Sequence, residues 1–590
     1  MSSPDAIDPA EGSAAPPVLL APKWSWWCAR RTHNQFDPTI ASDRNHEYSP
    51  EVRARLEAGS AHRTAIQEAF ASAMATTGKI FLDLTDIGLS PQDLITTTVE
   101  AMNHGVAVIA GGRLPNDASG GRQGMPALLI CQGQQQTTGT FGYWPGAIKA
   151  HKTVWRTCGE RPLVFSTLDR PGHDHARTDD QCQPRLREND SIELAHYWRM
   201  LQASGFAATG APLGAIIGSD RNDYQPVLVW YRLDDPAFRT FSRSRPEGFA
   251  IRTALERHDH EHDRRLRIAA VAIAQRGQDS DPEPLVEPVM VRECVQCPWE
   301  SVCAAALGPD DPSVSVGNLD AREWLALRAL GVTTTADLAT LVAEDVLADY
   351  LPEVGHQERA AARLEAAIVR AQMVSVGEYL RRVTVGPIDV PRADIEIDLD
   401  IESDRNGRVY LWGLLISDRS GRSPSFVGIS DWRPLNDQRE SELGAELWQF
   451  LRTTITDHER SGRSVLVYHY STPEPMHLLK LARGGIAPGL PSEKQARTLI
   501  RDHFVDLLPI MRTNFLGLRG LGLKMAASHG PRFRWRDDDP GGAQSQTWLD
   551  EVYQDQDPSR RDGAKVRILE YNEDDVRATS ALRHWLAELD

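Results

Sequence analysis

The chain has 590 residues, a formal net charge of −17, and 41% hydrophobic against 25% charged residues. That length exceeds what one hydrophobic core supports and predicts about three or four domains. The acidic balance excludes a chain that coats nucleic acid non-specifically, leaving room only for a local basic track, and no apolar run has the length of a membrane span.

Residues 1–22, MSSPDAIDPAEGSAAPPVLLAP, carry acids and no Lys or Arg, the opposite of a signal-peptide start, and their Pro, Ala and Ser content predicts a disordered leader. Seven cysteines, an odd number with no secretory signal, predict a cytoplasmic chain whose clustered thiols are ligands rather than disulfides. Residues 23–307 form a mixed α/β region. VAVIAGG, PALLICQ and PVLVWYRL have the texture of buried strands, and SIELAHYWRMLQASG and LRIAAVAIAQRG have helical periodicity. Within it, HDHEHD at 258–263 alternates His with acids beside RRLRIAA. Only i, i+3 and i+4 pairs converge on a helix, so a solvated charged face is expected there rather than a metal site.

Near the end of this region, ECVQCPWESVC places Cys294, Cys297 and Cys303 within ten positions. A closed metal or cluster site takes four thiolates, so one is missing. The candidates are Cys28, Cys131, Cys158 and Cys182. Cys131 ends an apolar strand, as a core thiol would, and Cys158 and Cys182 lie in polar loops. Cys28, in WSWWCARR, has aromatics to shield a site and Arg30 and Arg31 to favour the thiolate.

Residues 308–384 read as a helical connector, with LRALGVTTTADLATL a helix, a Gly turn and a Thr-capped second helix. A second α/β region spans 385–590. In its first strand Asp394, Glu396, Asp398, Asp400 and Glu402 alternate with Ile395, Ile397, Leu399 and Ile401. Period two puts all five carboxylates on one face, about 7 Å apart, where they repel unless cations or solvent screen them. An exposed acidic edge strand and the first strand of a metal site both fit. Near the C-terminus, Tyr571 and Asp575 stand i and i+4 in ILEYNEDDVRATSALRHWL and share a helix face. Residues 507–536 hold Arg512, Arg519, Lys524, Arg532, Arg534 and Arg536, no Asp or Glu, and interleaved Phe533 and Trp535. Such a stretch suits a groove that tracks phosphates and stacks bases of a single strand, or a basic surface set against the acidic strand.

One cysteine before a nuclease core and a C-x-x-C-x(5)-C run after it resembles the iron–sulfur staple of RecB-like nucleases such as the AddB subunit of helicase–nucleases. The resemblance implies a [4Fe–4S] cluster on Cys28, Cys294, Cys297 and Cys303, with zinc in the same thiolates as the alternative. It also implies a PD-(D/E)-x-K core, from which this chain departs. Arg63, beside His62, stands where that pattern has an acid; Ala127 and Ala147 replace the two metal-binding acids; Lys149 and Tyr197 are kept, with Glu193 in place of a Gln. The expectation is a degenerate core retained for binding or scaffolding.

Asp400-x-Glu402 in a first strand, with Tyr571 and Asp575 near the end, resembles the DEDD exonucleases of the ribonuclease H fold, tyrosine subclass, over residues 385–590. That resemblance implies two Mg²⁺ or Mn²⁺ ions on Asp400, Glu402, Glu474 (where the group has Asp) and Asp575. Tyr571 would orient the water, and Asp506, in HFVDLLPIMR, would be a supporting acid. The order of parts, an iron–sulfur RecB-like core, a helix-hairpin-helix-like connector and a ribonuclease-H-like domain, is similar to a family of bacterial nucleases. It implies an α/β multidomain, 3′–5′-type exonuclease acting on nucleic acid, on single strands or DNA ends in repair or recombination, with a helicase partner. The alternatives are a non-catalytic nucleic-acid-binding scaffold and a front core that is still active.

Overall fold

The structure, a computed structural model, describes residues 17–41, 50–135, 139–155, 159–222, 225–537 and 542–590. Residues 1–16 of the expected leader, and Cys158, lie outside the described residues. The remainder of the leader is not loose: Leu20 is fully buried, and its N–H donates to the Gly121 carbonyl at 2.8 Å.

The front region is built on an eight-stranded sheet in the spatial order Phe81–Asp83, Val108–Ala110, Leu128–Gln134, Phe141–Ile148, Leu213–Asn222, Gln225–Arg232, Leu163–Thr167 and Arg177–Asp179. Ile66, Phe70 and Met74 of the long helix Pro50–Thr77 share one core with Leu128, Ile130, Trp144, Leu194 and Trp198. The helix Glu188–Ala203 packs against the Phe141–Ile148 strand and against the helix Ala254–Ile273, which in turn carries the short helix Ala29–Phe36. The connector helices between Pro312 and Val376 close around Trp324, Leu327, Tyr350 and Leu364. Thr334 caps the helix Thr335–Thr340 through Asp337, as the TTTAD run predicts.

The C-terminal sheet has five strands in the order Arg422–Ser430, Val409–Asp418, Ile395–Ser403, Val465–His469 and Phe504–Asp506, which in chain order is 3-2-1-4-5. The first three are antiparallel and the last two run parallel to the first. Gly407, at φ 70°, supplies the left-handed residue of the turn after the first strand. The acidic strand is therefore the centre of the sheet, not an exposed edge. Ile395, Ile397 and Leu399 face Leu443, Leu447 and Leu451 of the helix Asp437–Arg460. The opposite, acidic face is covered by the helix Pro558–Ala587. Leu380–Arg382, within the expected connector, already pairs with Phe515–Gly517 of the C-terminal body.

Covering carboxylates with a helix requires a countercharge, because an uncompensated buried charge costs several kcal/mol. Arg583, fully buried on that helix, supplies it. Its Nη2 donates to Asp398 Oδ2 at 2.9 Å, its Nε donates to Asp398 Oδ1 at 3.2 Å, and its Nη1 donates to Glu396. Arg392 Nε donates to Glu396 Oε1 at 2.6 Å, and Tyr468 OH to the same oxygen at 3.3 Å. Removing Arg583 leaves two buried carboxylates short of their partner. The variant Arg583→Ala should lose about 3–5 kcal/mol of unfolding free energy, read from urea denaturation with the slope unchanged.

Candidate functional site

Beyond Arg583 no fully buried cation among the described residues meets the acidic face of the central strand, and only half-buried Lys524 acts on it. There Asp400 and Glu402 meet Asp575 of the closing helix, one carboxylate oxygen of each lying within 4.8 Å of the others. Two-residue spacing on a strand keeps Asp400 and Glu402 on one face. The grip of Arg583 on Asp398 and Glu396, eight residues further along the helix than Asp575, sets the height at which the third acid arrives.

Each acid is steadied from outside. Asn572 Nδ2 donates to Asp400 Oδ2 at 2.8 Å, and Trp535 Nε1 donates to Asp575 Oδ1 at 2.7 Å. Ser545 and Asn572 hydrogen-bond to Glu402. Lys524 Nζ lies over the Tyr571 ring and donates to its hydroxyl at 2.6 Å. Sequence reasoning missed Asn572 and Ser545, which carry no motif, and gave Trp535 and Lys524 to nucleic acid rather than to the acids and Tyr571. The Asn572 amide passes so close to the neighbouring strand that a Cβ on Gly413 would stand 1.5 Å from its Oδ1.

Glu474 is buried at the start of the helix Pro473–Gly484, with His469 Nδ1 at 3.6 Å from its Oε2 and no hydrogen bond to that oxygen among the described residues. Its charge acts on Asp400, but it stands outside the close trio. Asp506 accepts from the Ser471 N–H at 2.8 Å and the Leu508 N–H at 2.9 Å, tying down the loop that leads to Glu474.

Burial, and then the mutual repulsion of these acids, sets their protonation. Asp400 is raised well above its ordinary value by burial and by Asp575, Glu402 and Glu474. Glu402 is pushed up to about 8 by burial and Asp575, and Asp575 to about 6, mostly by burial. Burial and Asp575 also raise the Tyr571 hydroxyl. An all-oxygen, carboxylate-rich set of this kind fits a hard divalent cation such as Mg²⁺ or Mn²⁺, whose charge would replace the protons.

The basic segment divides in two. Arg512, Arg519, Arg532 and Arg534 are exposed and form no ion pair among the described residues. Arg536, expected among the phosphate contacts, is instead bound to the closing helix through Glu573 and Asp574, both at 2.9 Å. Trp535, expected to stack bases, points its N–H at Asp575 and packs edge-on to Phe533.

In the front region Cys294, Cys297 and Cys303 are buried, and Cys28 is half-buried at the head of the helix Ala29–Phe36. The two segments meet: the Cys28 N–H donates to Glu293 Oε1 at 2.7 Å, and Asn34 Nδ2 to Cys303 Sγ at 3.5 Å. The four thiols do not form a tight ligand group, since neither close three-ligand group among the described residues contains a cysteine. The expected help from Arg30 and Arg31 comes from their backbone N–H groups, which favour the Cys28 thiolate but are outweighed by burial. The Arg30 side chain donates to the Val286 carbonyl and that of Arg31 lies 3.5 Å over the Trp27 ring, while burial, with Glu293 adding to it, leaves the Cys28 thiol raised overall.

Lys149, the surviving motif lysine, is held by Glu193 Oε2 at 2.5 Å and Asp190 Oδ1 at 3.5 Å. Ala147 is buried, Ala127 and His62 are half-buried, and the Tyr197 hydroxyl donates to the Met125 carbonyl at 3.0 Å. The solvated face expected at HDHEHD is confined to His260 and Asp263, whereas His258 and His262 are fully buried against His196. Their helix turns residues 258 and 262 inward together, and the intervening acids find arginines, Asp259 with Arg199 and Glu261 with Arg257 and Arg265.

A cation displacing these protons binds more strongly as pH rises. In the metal-free protein the raised carboxylates give stability that is fully present below about pH 4 and is lost as pH climbs through about 6 and 8. Mn²⁺ should therefore raise Tm more at pH 8 than at pH 6. The increment should vanish in Asp400→Asn and Asp575→Asn, as measured by differential scanning fluorimetry.

No helix among the described residues is long and apolar enough to cross a membrane. No curated protein and no solved structure matches the chain. A family model described as the RNase_H superfamily matches residues 397–587, about a third of the chain, so the domain that holds Asp400, Glu402 and Asp575 is ribonuclease-H-like.

Proposed function

We propose that the C-terminal domain is a metal-dependent exonuclease of the 3′–5′ type, cutting nucleic acid from an end, with DNA the favoured substrate. The observation that carries this reading is the meeting of Asp400, Glu402 and Asp575 across a central strand and the closing helix of a ribonuclease-H-like domain. Asp400, Glu402 and Asp575, with Glu474 behind Asp400, would hold one or two divalent ions, which supply the charge that activates water and stabilises a leaving phosphate oxygen. Tyr571, one helical turn before Asp575 and held by Lys524, would orient the attacking water. Trp535 and Asn572 hold the ligand carboxylates at fixed angles. The exposed Arg512, Arg519, Arg532 and Arg534 carry the phosphate backbone toward the acids.

The front region is read as a RecB-like core kept for scaffolding over 23–307, joined by the connector 308–384 to the catalytic body. In support, Lys149 is committed to Glu193 and Asp190, and among the described residues no close three-acid group stands near it. The four cysteines are read as a [4Fe–4S] staple. Zinc would hold its thiolates about 3.8 Å apart, whereas a cubane's iron corners spread them. Thiols that act on one another's charge, with no three of them within 4.8 Å of one another among the described residues, suit the wider arrangement. The position of Glu474 outside the close trio favours the rival reading of a non-catalytic nucleic-acid scaffold.

The deciding experiment measures cleavage of end-labelled single- and double-stranded DNA and RNA with Mn²⁺. Asp400→Asn and Asp575→Asn should each lower the rate by about a hundredfold or more. Tyr571→Phe should lower kcat with binding retained, and Lys149→Ala should cut at close to the wild-type rate while losing about 1–3 kcal/mol of stability. A wild-type protein that binds strands and never shortens them is the scaffold, and cleavage that survives both Asp variants removes the C-terminal domain from the chemistry. Separately, anaerobically purified protein should contain about four iron and four labile sulfide per chain, both lost in Cys294→Ser.

A further inference from the structure

The front region contains a second close group of ligand atoms, one that none of the nuclease chemistry uses. His196 comes from the helix Glu188–Ala203, and His258 and His262 come from successive turns of the helix Ala254–Ile273. All three side chains are fully buried, and one ring nitrogen of each lies within 4.8 Å of the others. The rings of His258 and His262 stack with centroids 5.2 Å apart, and His196 meets both edge-on.

The outward nitrogens decide what the inward ones can be. His258 Nδ1 faces Asp259 Oδ1 at 2.9 Å, His262 Nε2 faces the Gly120 carbonyl at 2.8 Å, and His196 Nε2 faces the Gln123 carbonyl at 3.2 Å. Each partner is an acceptor only, so each imidazole, when neutral, must place its single proton on the outer nitrogen. That leaves His258 Nε2, His262 Nδ1 and His196 Nδ1 as lone pairs. His196 Nδ1 and His258 Nε2 are 3.1 Å apart, and His262 Nδ1 has no hydrogen-bond partner among the described residues. Converging lone pairs in a buried space repel unless a cation sits among them. A second proton is the poor candidate, because burial and the neighbouring imidazoles push these rings toward the neutral form. Arg122 and Arg199 add positive charge nearby, but Asp117 and Asp259 take it up at 2.8 Å and 2.5 Å.

We propose that His196, His258 and His262 form a structural binding site for a borderline-soft divalent ion of the zinc class. Neutral imidazoles whose other N–H groups donate to a carboxylate and to backbone carbonyls are the arrangement by which proteins orient zinc ligands. Zinc–nitrogen bonds of about 2.0–2.1 Å place ligand nitrogens about 3.3–3.4 Å apart, close to the spacing of the His196–His258 pair. The ion would join the two helices to each other. Through Gly120 and Gln123 it would also join them to the loop on which Leu20 docks. The three histidines leave a fourth position for water. This site is independent of the nuclease reading, and it differs in ligand chemistry from both the all-oxygen acids and the thiols.

The test uses the full chain, stripped with a chelator and titrated with Zn²⁺ in excess Mg²⁺, which occupies the hard carboxylate site. We expect one equivalent of zinc bound through an imidazole-rich nitrogen shell in X-ray absorption. That equivalent should persist in Asp400→Asn and be lost from His258→Gln and His262→Gln, together with the zinc-dependent rise in Tm. Equal zinc content in wild type and both His variants overturns the proposal. So does a wild-type zinc shell containing only sulfur or oxygen, or no retained equivalent at all. Should the variants fail to fold, the wild-type absorption spectrum alone decides between nitrogen and the other ligands.

Discussion

Arg583 lies fully buried against Glu396 and Asp398, and the arrangement of the acidic site follows from that contact. Five carboxylates on one strand face cannot all be buried with their charges intact. The molecule divides them. Asp394 stays exposed and binds Ser464, Glu396 and Asp398 share the guanidinium, and Asp400 and Glu402 form no ion pair among the described residues, with only the charge of half-buried Lys524 reaching Glu402. The arginine that neutralises one end of the strand also sets the helix that brings Asp575 to the other. Fold and site thus rest on one guanidinium, and the acids at Asp400 and Glu402, unpaired with any cation among the described residues, are a set that could hold a metal ion.

The parts of this arrangement visible in the sequence are those with short periods. Alternation placed the five acids on a common face, and i, i+4 spacing placed Tyr571 over Asp575. Arg583, Asn572, Ser545 and Trp535 could not be assigned that way, because each meets its partner across a wide sequence separation. The contact of Arg583 with Asp398, for instance, spans 185 positions. The basic run misled in part for the same reason: composition shows positive charge but not direction, and Arg536 and Trp535 turn back toward the closing helix. HDHEHD misled differently. Its acids suggested solvent, yet Asp259 and Glu261 are answered by arginines from the neighbouring helix and from the same helix, and only Asp263 stays exposed. Its i, i+4 histidines, set beside His196 in the apolar run ELAHYWRML, were the available signal.

The front and C-terminal regions handle buried charge and polarity in contrasting ways. At Lys149 a cation is held by acids from a neighbouring helix. At Asp400 acids are gathered without a cation. Between them the connector is joined to the C-terminal body by backbone pairing at Leu380–Arg382 and by Arg370 donating to the Gly517 carbonyl. Those contacts reach the strand that precedes the exposed Arg519, so the connector and part of the arginine-rich surface belong to one mechanical unit.

Gly413 adds a constraint of heredity. The Asn572 amide that holds Asp400 occupies the space a side chain at 413 would need, with only 1.5 Å between Oδ1 and any Cβ built there. A lineage that gained even a methyl group at this position would have to displace Asn572 and release Asp400, although no acid had changed. Loss of the acidic site could therefore begin at a residue with no functional group, and a side chain at 413 would mark descendants in which every acid survives but the site no longer assembles.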